Sequence, residues 1–493
     1  MTRNYFSMLV GRELINILKD IKSVRGNQNV IIEDVQYDSR KVRKNSLFVA
    51  ITGFKDDGHK YLNDAIEKGS SAVVVEKEVD VKNNDILYIL VENSRKALST
   101  ISDYFYKSPS KKMKIVGVTG TNGKTTTTYL VKSILEHSGL SAGVIGTLGI
   151  YINGELFPSE RTTPESLELH KTFYEMQRRG INFVSMEVSS HSLKLSRVDD
   201  VAFEVGVFTN LTQDHLDFHA DFEDYYCSKR KLFDLSKKAA INIDDLHGKR
   251  LIKEIKIPYV SYAIENNADI KAEDVNISED GVSYNIIYNG QKIKVNYQVP
   301  GKFSVYNSLA AISAALLLGI DLKTSVEAIG KVKGVPGRFE PIKEGQDFSV
   351  IVDYAHTPDG LENVLNTIKT FAKGRIITVF GAGGDRDRAK RPKMGKIVSE
   401  LSDYFIITSD NPRSEDPEKI IEDIEEGVIK TKPYEKIVDR RQAIKKAIEM
   451  AEKNDVVLIA GKGHENYQII KDRVIPFDDR EVAREFLKMR GDK

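Results

Sequence analysis

The sequence predicts an α/β protein of three domains with mainly parallel sheets, and three observations lead to that prediction. Its 493 residues correspond to about three domains of roughly 150 residues each. Short apolar runs alternate with longer amphipathic segments, which is typical of parallel strands joined by helices. Two proline-containing segments, 107–112 and 334–341, interrupt the pattern. We therefore predict domains over 1–110, 111–335 and 336–493.

Composition excludes several classes of protein. The formal net charge is +1 at pH 7, so the chain has no global field that would hold nucleic acid or an anionic membrane. A single Cys excludes a disulfide framework and favours a reducing compartment. The N-terminal residues lack the apolar core of a signal peptide, and the longest apolar run, 309–320, is too short to span a bilayer. We expect a soluble, cytoplasmic monomer with small-molecule substrates.

Most of the unusual residue clusters follow apolar runs that we interpret as strands. In the second block these runs are 115–118, 142–145, 183–186 and 205–208, and in the third they are 350–352, 376–380, 404–407 and 456–459. Helical patterns such as 125–137 and 416–429 lie between them. Residues 282–299 alternate apolar and polar around Asn289-Gly290, which predicts an added β-hairpin with a type I′ turn. Open parallel sheets bind ligands at the carboxyl ends of their strands, so these clusters are candidate sites.

The clearest motif is the segment 120–126, GTNGKTT. It follows a predicted strand and opens a predicted helix, so its backbone N–H groups can surround phosphate oxygens. Lys124 can reach the β- and γ-phosphates of a nucleotide, and the Thr125 hydroxyl can bind Mg²⁺. A plain glycine turn is the alternative, which the combination of strand, glycine-rich turn and helix disfavours. Val118 stands where the general P-loop has its first glycine.

This loop resembles the nucleotide loop of the Mur ligases and of the related folylpolyglutamate synthetases, which are three-domain, ATP-dependent enzymes that form amides. The resemblance extends over essentially the whole chain. It implies a central P-loop-type ATPase domain between a UDP-binding α/β domain and a Rossmann-like C-terminal domain. The implied ATP contacts are Gly120, Thr121, Asn122, Gly123, Lys124, Thr125, Thr126, Asn307, Arg338, Asp353 and His356. The last four could singly be cap or turn residues.

A carboxylate and an imidazole, Glu187 and His215, follow two further predicted strands, and such groups are natural ligands for Mg²⁺. A single histidine more often has a structural role. The resemblance implies that Glu187 and His215 hold Mg²⁺ with Thr125, and that Asn210 helps to position the γ-phosphate.

The segment 225–233 reads as a basic amphipathic helix. The resemblance implies that Lys229 in it is carbamylated to N6-carboxylysine, which replaces an ammonium with a group able to bind Mg²⁺. The alternative is a solvated helix face with Lys229 as a surface cation. Cys227 is expected to be a small packing residue. The implied catalytic set is Lys124, Glu187, His215 and Lys229.

The first block carries Asp38-Ser-Arg40 and Asp57-Gly-His59. It resembles the UDP-binding domain of the Mur ligases that add the third amino acid in peptidoglycan synthesis, whereas folylpolyglutamate synthetases would lack such a block. A turn with an Asp-Ser cap is the alternative for the tripeptide alone. Leu195 departs from the Gln of some relatives, which leaves the detailed contacts open. The implied contacts with the UDP-muramoyl dipeptide are Ser39, Phe54, Lys55, Asp56, Thr162, Thr163, Ser189 and Arg197.

Three clusters of the last block, 381–388, 410–413 and 461–465, follow predicted strands and mix both signs of charge. An amino acid with carboxylates and ammoniums needs such a mixture. Arg413 could instead be a surface cation before the acidic segment 414–426. The implied contacts with meso-diaminopimelate are Arg386, Asp410, Asn411, Pro412, Arg413, Gly461 and Glu465.

Together these motifs imply a ligase that uses ATP and Mg²⁺ to add diaminopimelate to the D-Glu side chain of a UDP-muramoyl dipeptide, through an acyl phosphate. A lysine-adding ligase of the same family is the nearest alternative and differs mainly in the last pocket. A non-catalytic P-loop protein that switches on ATP is an alternative from another class. It leaves the first block and residues 410–413 unexplained.

Overall fold

The structure, a computed structural model, describes residues 8–53, 56–81, 83–215 and 217–491. Within these residues the strands form three large sheets and two short antiparallel pairs, Leu9–Val10 with Ile31–Ile32 and Tyr467–Ile470 with Arg473–Pro476. The large sheets are mainly parallel and lie among helices, which confirms the predicted α/β class.

The first sheet contains a run that is buried almost throughout, SSAVVV in Ser70–Val75, as expected of a β-branched parallel strand covered on both faces. Its strand order is Ile21–Arg25, Leu87–Val91, Ser70–Val75, Ser46–Val49 and Asp34–Gln36, with the first antiparallel to the second. The associated α-helices are Gly11–Ile17, Leu62–Glu67 and Ser94–Phe105, and the 3₁₀ turns are Ser39–Lys41 and Gly58–Tyr61.

The second sheet is parallel in its centre and ends in antiparallel strands on both sides. Its order is Glu155–Phe157, Gly149–Ile152, Ala142–Gly146, Phe183–Glu187, Lys114–Thr119, Phe203–Phe208, Ser236–Asn242, Tyr259–Ala263, Ile270–Ser278, Gly281–Tyr288 and Gln291–Tyr297. Tyr288 pairs with Gln291, so Asn289 and Gly290 form a two-residue turn with φ of 48° and 75°. Both values are positive, as a type I′ turn requires, so the predicted hairpin is confirmed.

Helices cover the second sheet and connect its parallel strands. They are Lys124–His137, Ser166–Arg178, Ser190–Lys194, Phe222–Asp234, Leu246–Glu254, Lys302–Leu317 and Leu322–Lys331. Parallel registers place Glu187 opposite Val118 and Phe208 opposite Thr119. The residues that follow these strands therefore meet at one edge of the sheet.

The third sheet has the order Glu340–Ile342, Ser349–Asp353, Val456–Ala460, Ile376–Phe380, Tyr404–Ile407 and Tyr434–Lys436, and its first strand is antiparallel. Its helices are Pro358–Lys369, Lys390–Leu401, Pro417–Glu425, Arg440–Met450 and Asp479–Gly491. One hydrophobic core contains Val116 of the second sheet and Ile351 of the third, so the two sheets and their helices share buried surface.

The first predicted joint forms a tight connection. Lys107 and Ser108 have positive φ values of 65° and 48°, and a 3₁₀ turn, Pro109–Lys112, leads into the strand Lys114–Thr119. The domain boundaries at 110 and 335 stay predictions.

The helix Phe222–Asp234 excludes the alternative considered for Lys229 and contradicts the expectation for Cys227. The helix turns Tyr225, Lys229 and Leu232 inward, at the spacing of one helix face, so Lys229 is no surface cation. The same register points Cys227 outward, where its thiol is exposed and lies 3.5 Å from Glu223 Oε1. Cys227 is therefore not a packing residue.

Among the described residues, no helix combines the length and apolar character needed to cross a bilayer. The cytoplasmic location, the monomeric state and the absence of a nucleic-acid partner stay predictions of the composition.

Candidate active site

The loop 120–126 connects the strand Lys114–Thr119 to the helix Lys124–His137. Gly120 and Gly123 have φ of 148° and 85°, and a Cβ would lie 1.9 Å from Thr209 Oγ1 and 2.3 Å from Asn307 Oδ1. Both positions therefore require glycine. The first N–H groups of the helix have no carbonyl partner within it, which is the usual feature of an anion site at a helix N-terminus.

The segment after the next strand holds this loop. Thr121 N donates to Asn210 O at 3.0 Å, and Asn122 N donates to Asn210 Oδ1 at 2.9 Å. Thr209 Oγ1 donates to Asn122 O at 2.7 Å. Asn210 therefore supports the loop through both its backbone and its side chain.

Two lysines converge on one backbone oxygen of the loop. Lys124 Nζ donates to Gly120 O at 2.9 Å and to Thr121 O at 2.8 Å, while Lys229 Nζ donates to Gly120 O at 2.8 Å. Only 1% of Lys229 is exposed, and no carboxylate of the described residues forms an ion pair with it. Burial, and next the charge of Lys124, lower the pKa of Lys229 well below its usual value.

Glu187 and His215 lie near these lysines at the strand ends. Glu187 is buried, and Thr147 donates to it twice, from its N to Oε1 at 2.8 Å and from its Oγ1 to Oε2 at 3.1 Å. His215 lies with its Nε2 3.4 Å from Asp214 Oδ2. Burial lowers the pKa of His215 to about 3 against the opposing effect of Asp214, so its ring is neutral near pH 7.

The donor set of this region fits a magnesium ion that is shared with nucleotide phosphates. Mg²⁺ is usually held by one or two carboxylates together with substrate phosphates and water. The described residues contain no group of three or more His, Cys, Asp or Glu side chains spaced for a metal ion. Glu187 supplies one carboxylate, and a carbamylated Lys229 would supply the second.

Two residues expected to contact ATP reach the loop from other elements. Arg338 Nη2 donates to Thr125 Oγ1 at 2.9 Å, and its guanidinium lies 4.4 Å from the ring centroid of Tyr354. Asn307, on the helix Lys302–Leu317, lies against Gly123. These contacts bring the second and third sheets to one site.

Asp353 ends the strand Ser349–Asp353 of the third sheet, and His356 follows it. Asp353 accepts from Phe339 N and Ala355 N, both at 2.7 Å, and its burial raises its pKa, which Arg338 opposes. His356 Nδ1 donates to Tyr354 O at 2.7 Å, and burial lowers the pKa of His356 to about 4. A neutral His356 that donates from Nδ1 keeps Nε2 free as an acceptor.

A cavity of about 470 Å³ lies between these groups. Its lining includes Lys124, Glu187, His215, Asn307, Arg338 and His356. Asp359, on the helix Pro358–Lys369, contacts the loop because Asn122 Nδ2 donates to its carboxylate. Thr212 Oγ1 donates to the same carboxylate at 3.2 Å. The structure therefore brings the expected ATP and magnesium residues together in one cavity, except Gly120, which is not among the lining residues.

Residues expected to contact the muramoyl dipeptide divide into two groups. Thr162 and Ser189 line the cavity, and Thr163 Oγ1 joins them by accepting from Ser189 N at 3.1 Å. Arg197 Nη1 donates to Thr163 O at 3.1 Å, and Arg197 Nη2 pairs with Glu165 Oε1 at 2.9 Å.

In the second group, Ser39 and Asp56 do not line the cavity. Ser39 begins a 3₁₀ turn in which the Asp38 carboxylate accepts from Arg40 N at 3.0 Å, so the cap considered as the alternative is present. Asp56 Oδ1 lies 3.4 Å from Lys60 Nζ. Phe54 and Lys55 lie outside the described residues.

Four of the residues expected at diaminopimelate form a cluster at strand ends of the third sheet. Asn411 Nδ2 donates to Glu465 Oε2 at 2.8 Å, and Asn411 N donates to Asp410 Oδ1 at 2.6 Å. Gly461 has φ of 121°, and a Cβ there would lie 2.6 Å from Asp410 Oδ2.

Arg386 and Arg413 both lie close to Gly383. A Cβ on Gly383 would be 2.9 Å from Arg413 Nη1 and 3.9 Å from Arg386 Cγ. Arg413 Nη1 donates to Gly384 O at 2.7 Å, and neither arginine forms an ion pair with a carboxylate of the described residues. Burial and then the charge of Arg386 lower the pKa of Arg413. Two neighbouring guanidiniums that lack a paired carboxylate can bind a carboxylate. Among the described residues, Arg413 pairs with no carboxylate of the following acidic helix.

Sequence reasoning missed several residues of the site. Lys462 is fully buried and donates from Nζ to Glu465 Oε2 at 2.9 Å and to Asn411 Oδ1 at 3.2 Å. Its position inside the cluster 461–465 was the available signal. Asp359 had a similar signal, because it ends the segment 353–359 that contains Asp353 and His356. Thr147 had none, because its contact with Glu187 links residues that are distant in sequence.

Three stretches of the chain match described protein families. Residues 31–106 match the Mur ligase family catalytic domain, residues 118–315 the Mur ligase middle domain, and residues 337–463 the Mur ligase glutamate ligase domain.

Full-length relatives match as well. A Clostridium tetani protein named UDP-N-acetylmuramoyl-L-alanyl-D-glutamate–2,6-diaminopimelate ligase is 50% identical over 482 residues, which cover 97% of this chain and 99% of that protein. A solved structure of a ligase with the same name has a TM-score of 0.70 at 33% identity and covers 98% of this chain and 100% of that one. A MurF ligase of Thermotoga maritima in complex with ADP shares the fold, with a TM-score of 0.64 at 20% identity, covering 93% and 98%.

Proposed function

The chain belongs to the Mur ligase family, and on that premise we propose that it joins meso-2,6-diaminopimelate to UDP-N-acetylmuramoyl-L-Ala-D-Glu in an ATP-dependent reaction. The new amide would link an amino group of diaminopimelate to the side-chain carboxylate of D-Glu. The observation that carries the choice of amino acid is the unpaired guanidinium pair, Arg386 and Arg413, beside the cluster of Asn411 and Glu465. A substrate with two carboxylates and two ammoniums matches that arrangement of charge.

The chemistry proceeds in two steps because a carboxylate does not react with an amine directly. The carboxylate oxygen attacks the γ-phosphorus of ATP, and the bond from that phosphorus to the β-γ bridging oxygen breaks. ADP is the leaving group, and the D-Glu side chain becomes an acyl phosphate. The amine nitrogen then attacks the acyl carbon, the carbon–oxygen bond to phosphate breaks, and the nitrogen loses a proton. No protein nucleophile takes part, so most of the acceleration comes from alignment and charge stabilisation.

The nucleotide would bind with its phosphates on the loop 120–126. Backbone N–H groups, Lys124 and Arg338 supply positive charge where the transferring phosphoryl group carries negative charge. Asn307, Asp353 and His356 would contact the remainder of ATP from the helix Lys302–Leu317 and from the third sheet.

Mg²⁺ would be held by Thr125, Glu187, His215 and a carbamylated Lys229. When bound, the ion supplies charge neutralisation at the phosphates. The support for carbamylation is geometric: Lys229 is buried beside Gly120 and Lys124 with no described carboxylate to pair with it. Carbamylation would replace the ammonium of Lys229, which neighbours that of Lys124, with an anion.

The UDP-muramoyl dipeptide would extend from the first sheet into the cavity. Ser39, Phe54, Lys55 and Asp56 would contact the UDP end, whereas Thr162, Thr163, Ser189 and Arg197 would hold the dipeptide near Glu187. ATP, the UDP-dipeptide and diaminopimelate together would contact all three predicted domains, so we also propose that the segments 107–112 and 334–337 act as hinges when the domains close.

Diaminopimelate would lie at the strand ends of the third sheet. Arg386 and Arg413 would bind its distal carboxylate, and Asp410 and Glu465 would attract its ammonium groups. Asn411 would orient Glu465 by its hydrogen bond, while Pro412 and Gly461 shape the backbone around the amino acid.

Product formation tests this function directly. The protein is incubated with ATP, Mg²⁺, the UDP-dipeptide and either diaminopimelate or lysine, and the products are weighed by mass spectrometry. We expect UDP-muramoyl tripeptide with diaminopimelate and a kcat/KM at least about a hundredfold lower with lysine, because lysine leaves Arg413 desolvated and unpaired. Comparable kcat/KM values would favour the lysine-adding alternative. ATP hydrolysis that does not respond to the UDP-dipeptide would favour a P-loop switch.

A further inference from the structure

We propose that Arg391 is the positioning residue of the amino-acid pocket, because it joins the two loops that carry Arg386 and Arg413. The inference rests on the proposed function, which places a carboxylate of diaminopimelate between those two guanidiniums. Arg391 itself would not touch the substrate. It would set the distance between the groups that do.

Arg391 lies in the first turn of the helix Lys390–Leu401, and its side chain is fully buried. Nη1 donates to Glu415 Oε2 at 2.9 Å and to Asp423 Oδ2 at 2.7 Å. Nη2 donates to Glu415 Oε1 at 2.8 Å and to Gly383 O at 3.3 Å. One planar guanidinium therefore contacts the loop of Arg386 at Gly383 and the loop of Arg413 at Glu415.

Glu415 extends this connection back to the first loop. Its Oε1 accepts from Asp385 N at 2.5 Å, next to Arg386 in sequence. Asp385 in turn accepts from Ser414 Oγ at 2.6 Å, next to Arg413. Asp385, the neighbour of Arg386, is therefore bonded directly to Glu415, the partner of Arg391. Ser414, the neighbour of Arg413, is connected to Glu415 through Asp385.

The two loops also touch closely at their backbones. Gly384 N donates to Asn411 O at 2.9 Å, and a Cβ on Gly384 would lie 1.9 Å from Pro412 O. Arg386 and Arg413 carry like charges and repel each other when no anion lies between them. A buried tether is needed to keep their loops together before the substrate arrives, and Arg391 supplies it.

Arg388 provides a matched control because it faces the same carboxylates. Its Nη2 lies 3.3 Å from Glu415 and its Nε 3.5 Å from Asp423, yet its side chain is 64% exposed. An exposed ion pair of this kind contributes little to stability. Loss of Arg388 should therefore leave the pocket unchanged, although the same two partners lose a cation.

The test compares Arg391→Lys with Arg388→Lys by steady-state kinetics for each substrate. A lysine keeps the charge of Arg391 but cannot bridge Glu415, Asp423 and Gly383 O together. We expect the KM for diaminopimelate to rise about tenfold to a hundredfold in Arg391→Lys, as a displacement of about 1 Å can produce. The KM values for ATP and the UDP-dipeptide should stay within about twofold, and the preference for diaminopimelate over lysine should fall with the affinity. Arg388→Lys should match the wild type.

A purely structural role predicts a different pattern. A lower melting temperature with all three KM values unchanged, or raised together, would overturn the proposal, as would an unchanged preference for diaminopimelate. Glu415→Gln serves if Arg391→Lys does not fold, because the amide can still accept from Asp385 N while it weakens the pair with Arg391. The same selective rise in KM is expected, and its absence contradicts the inference. Failure of the proposed function is separate, since the wild-type enzyme would then form no diaminopimelate product.

Discussion

At the scale of single residues, burial decides the chemistry of the two lysines that share Gly120 O. Lys124 and Lys229 both have lowered pKa values, mainly because of burial. Lys229 forms no ion pair with a carboxylate of the described residues, and Asp214 offsets its desolvation only in part. An unpaired buried charge costs several kcal/mol. A neutral amine avoids that cost, and the neutral amine is the form that adds carbon dioxide to give a carbamate.

Lys229→Ala should remove the carbamate and lower kcat by about a hundredfold or more, the usual scale for the loss of one group that stabilises developing charge. Formate or acetate should restore part of the activity, because a small carboxylate can occupy the space that the side chain leaves. The measurement is initial rate against carboxylate concentration. Lys231→Ala, on the exposed side of the same helix, is the control and should keep wild-type activity. Full activity of Lys229→Ala without added carboxylate would contradict the carbamate.

At the scale of elements, a buried histidine marks the contact between the helices Ser94–Phe105 and Ser166–Arg178. His170 Nδ1 lies 3.6 Å from Asp103 Oδ1, and neither ring nitrogen has a hydrogen-bond partner within the described residues. Asp103 instead accepts from Ser108 Oγ at 2.8 Å and from Lys111 Nζ at 3.0 Å, which are residues of the first joint. Burial lowers the pKa of His170 to about 4, against the opposing effect of Asp103.

This histidine should make folding stability depend on pH. His170 is neutral in the folded protein down to about pH 4, whereas in the unfolded chain it takes up a proton near pH 6.5. Its contribution is fully present above about pH 6.5 and is lost as the pH falls to 4, by about 3 kcal/mol in total. The free energy of unfolding of His170→Leu, relative to that of the wild type, should therefore be higher at pH 4 than at pH 7 by about that amount. Urea unfolding of both proteins at several pH values measures it, and parallel stability curves would refute it.

At the scale of the whole molecule, the parallel sheets and their strand-end motifs could be predicted because the signals are local. Apolar runs such as 115–118 and 456–459 predict strands, and Asn289-Gly290 predicts a turn. The turn at Gly120 and Gly123 could be predicted because two glycines stand between a strand pattern and a helix pattern. The register of the helix Phe222–Asp234 was misjudged at Cys227, because one small residue carries little information about which side of a helix is buried.

Contacts between distant parts of the chain could not be predicted from such patterns. Arg338 reaches Thr125 across 213 positions, and Asp359 reaches Asn122 across 237. The burial of Arg391 depends on Glu415 and Asp423 of another loop and helix, so its sequence neighbourhood gives no sign of it. These long-range contacts place the third sheet against the nucleotide loop, and they bring residues from both parts of the chain to one cavity.

The most direct test of the central claim follows the oxygen atoms of the D-Glu side chain. The UDP-dipeptide is prepared with ¹⁸O in that carboxylate and converted with ATP, Mg²⁺ and diaminopimelate, and the released phosphate is analysed by mass spectrometry. An acyl phosphate requires that one labelled oxygen leave with each phosphate while the other stays in the new amide. Phosphate that carries no label, released together with tripeptide product, would contradict the account.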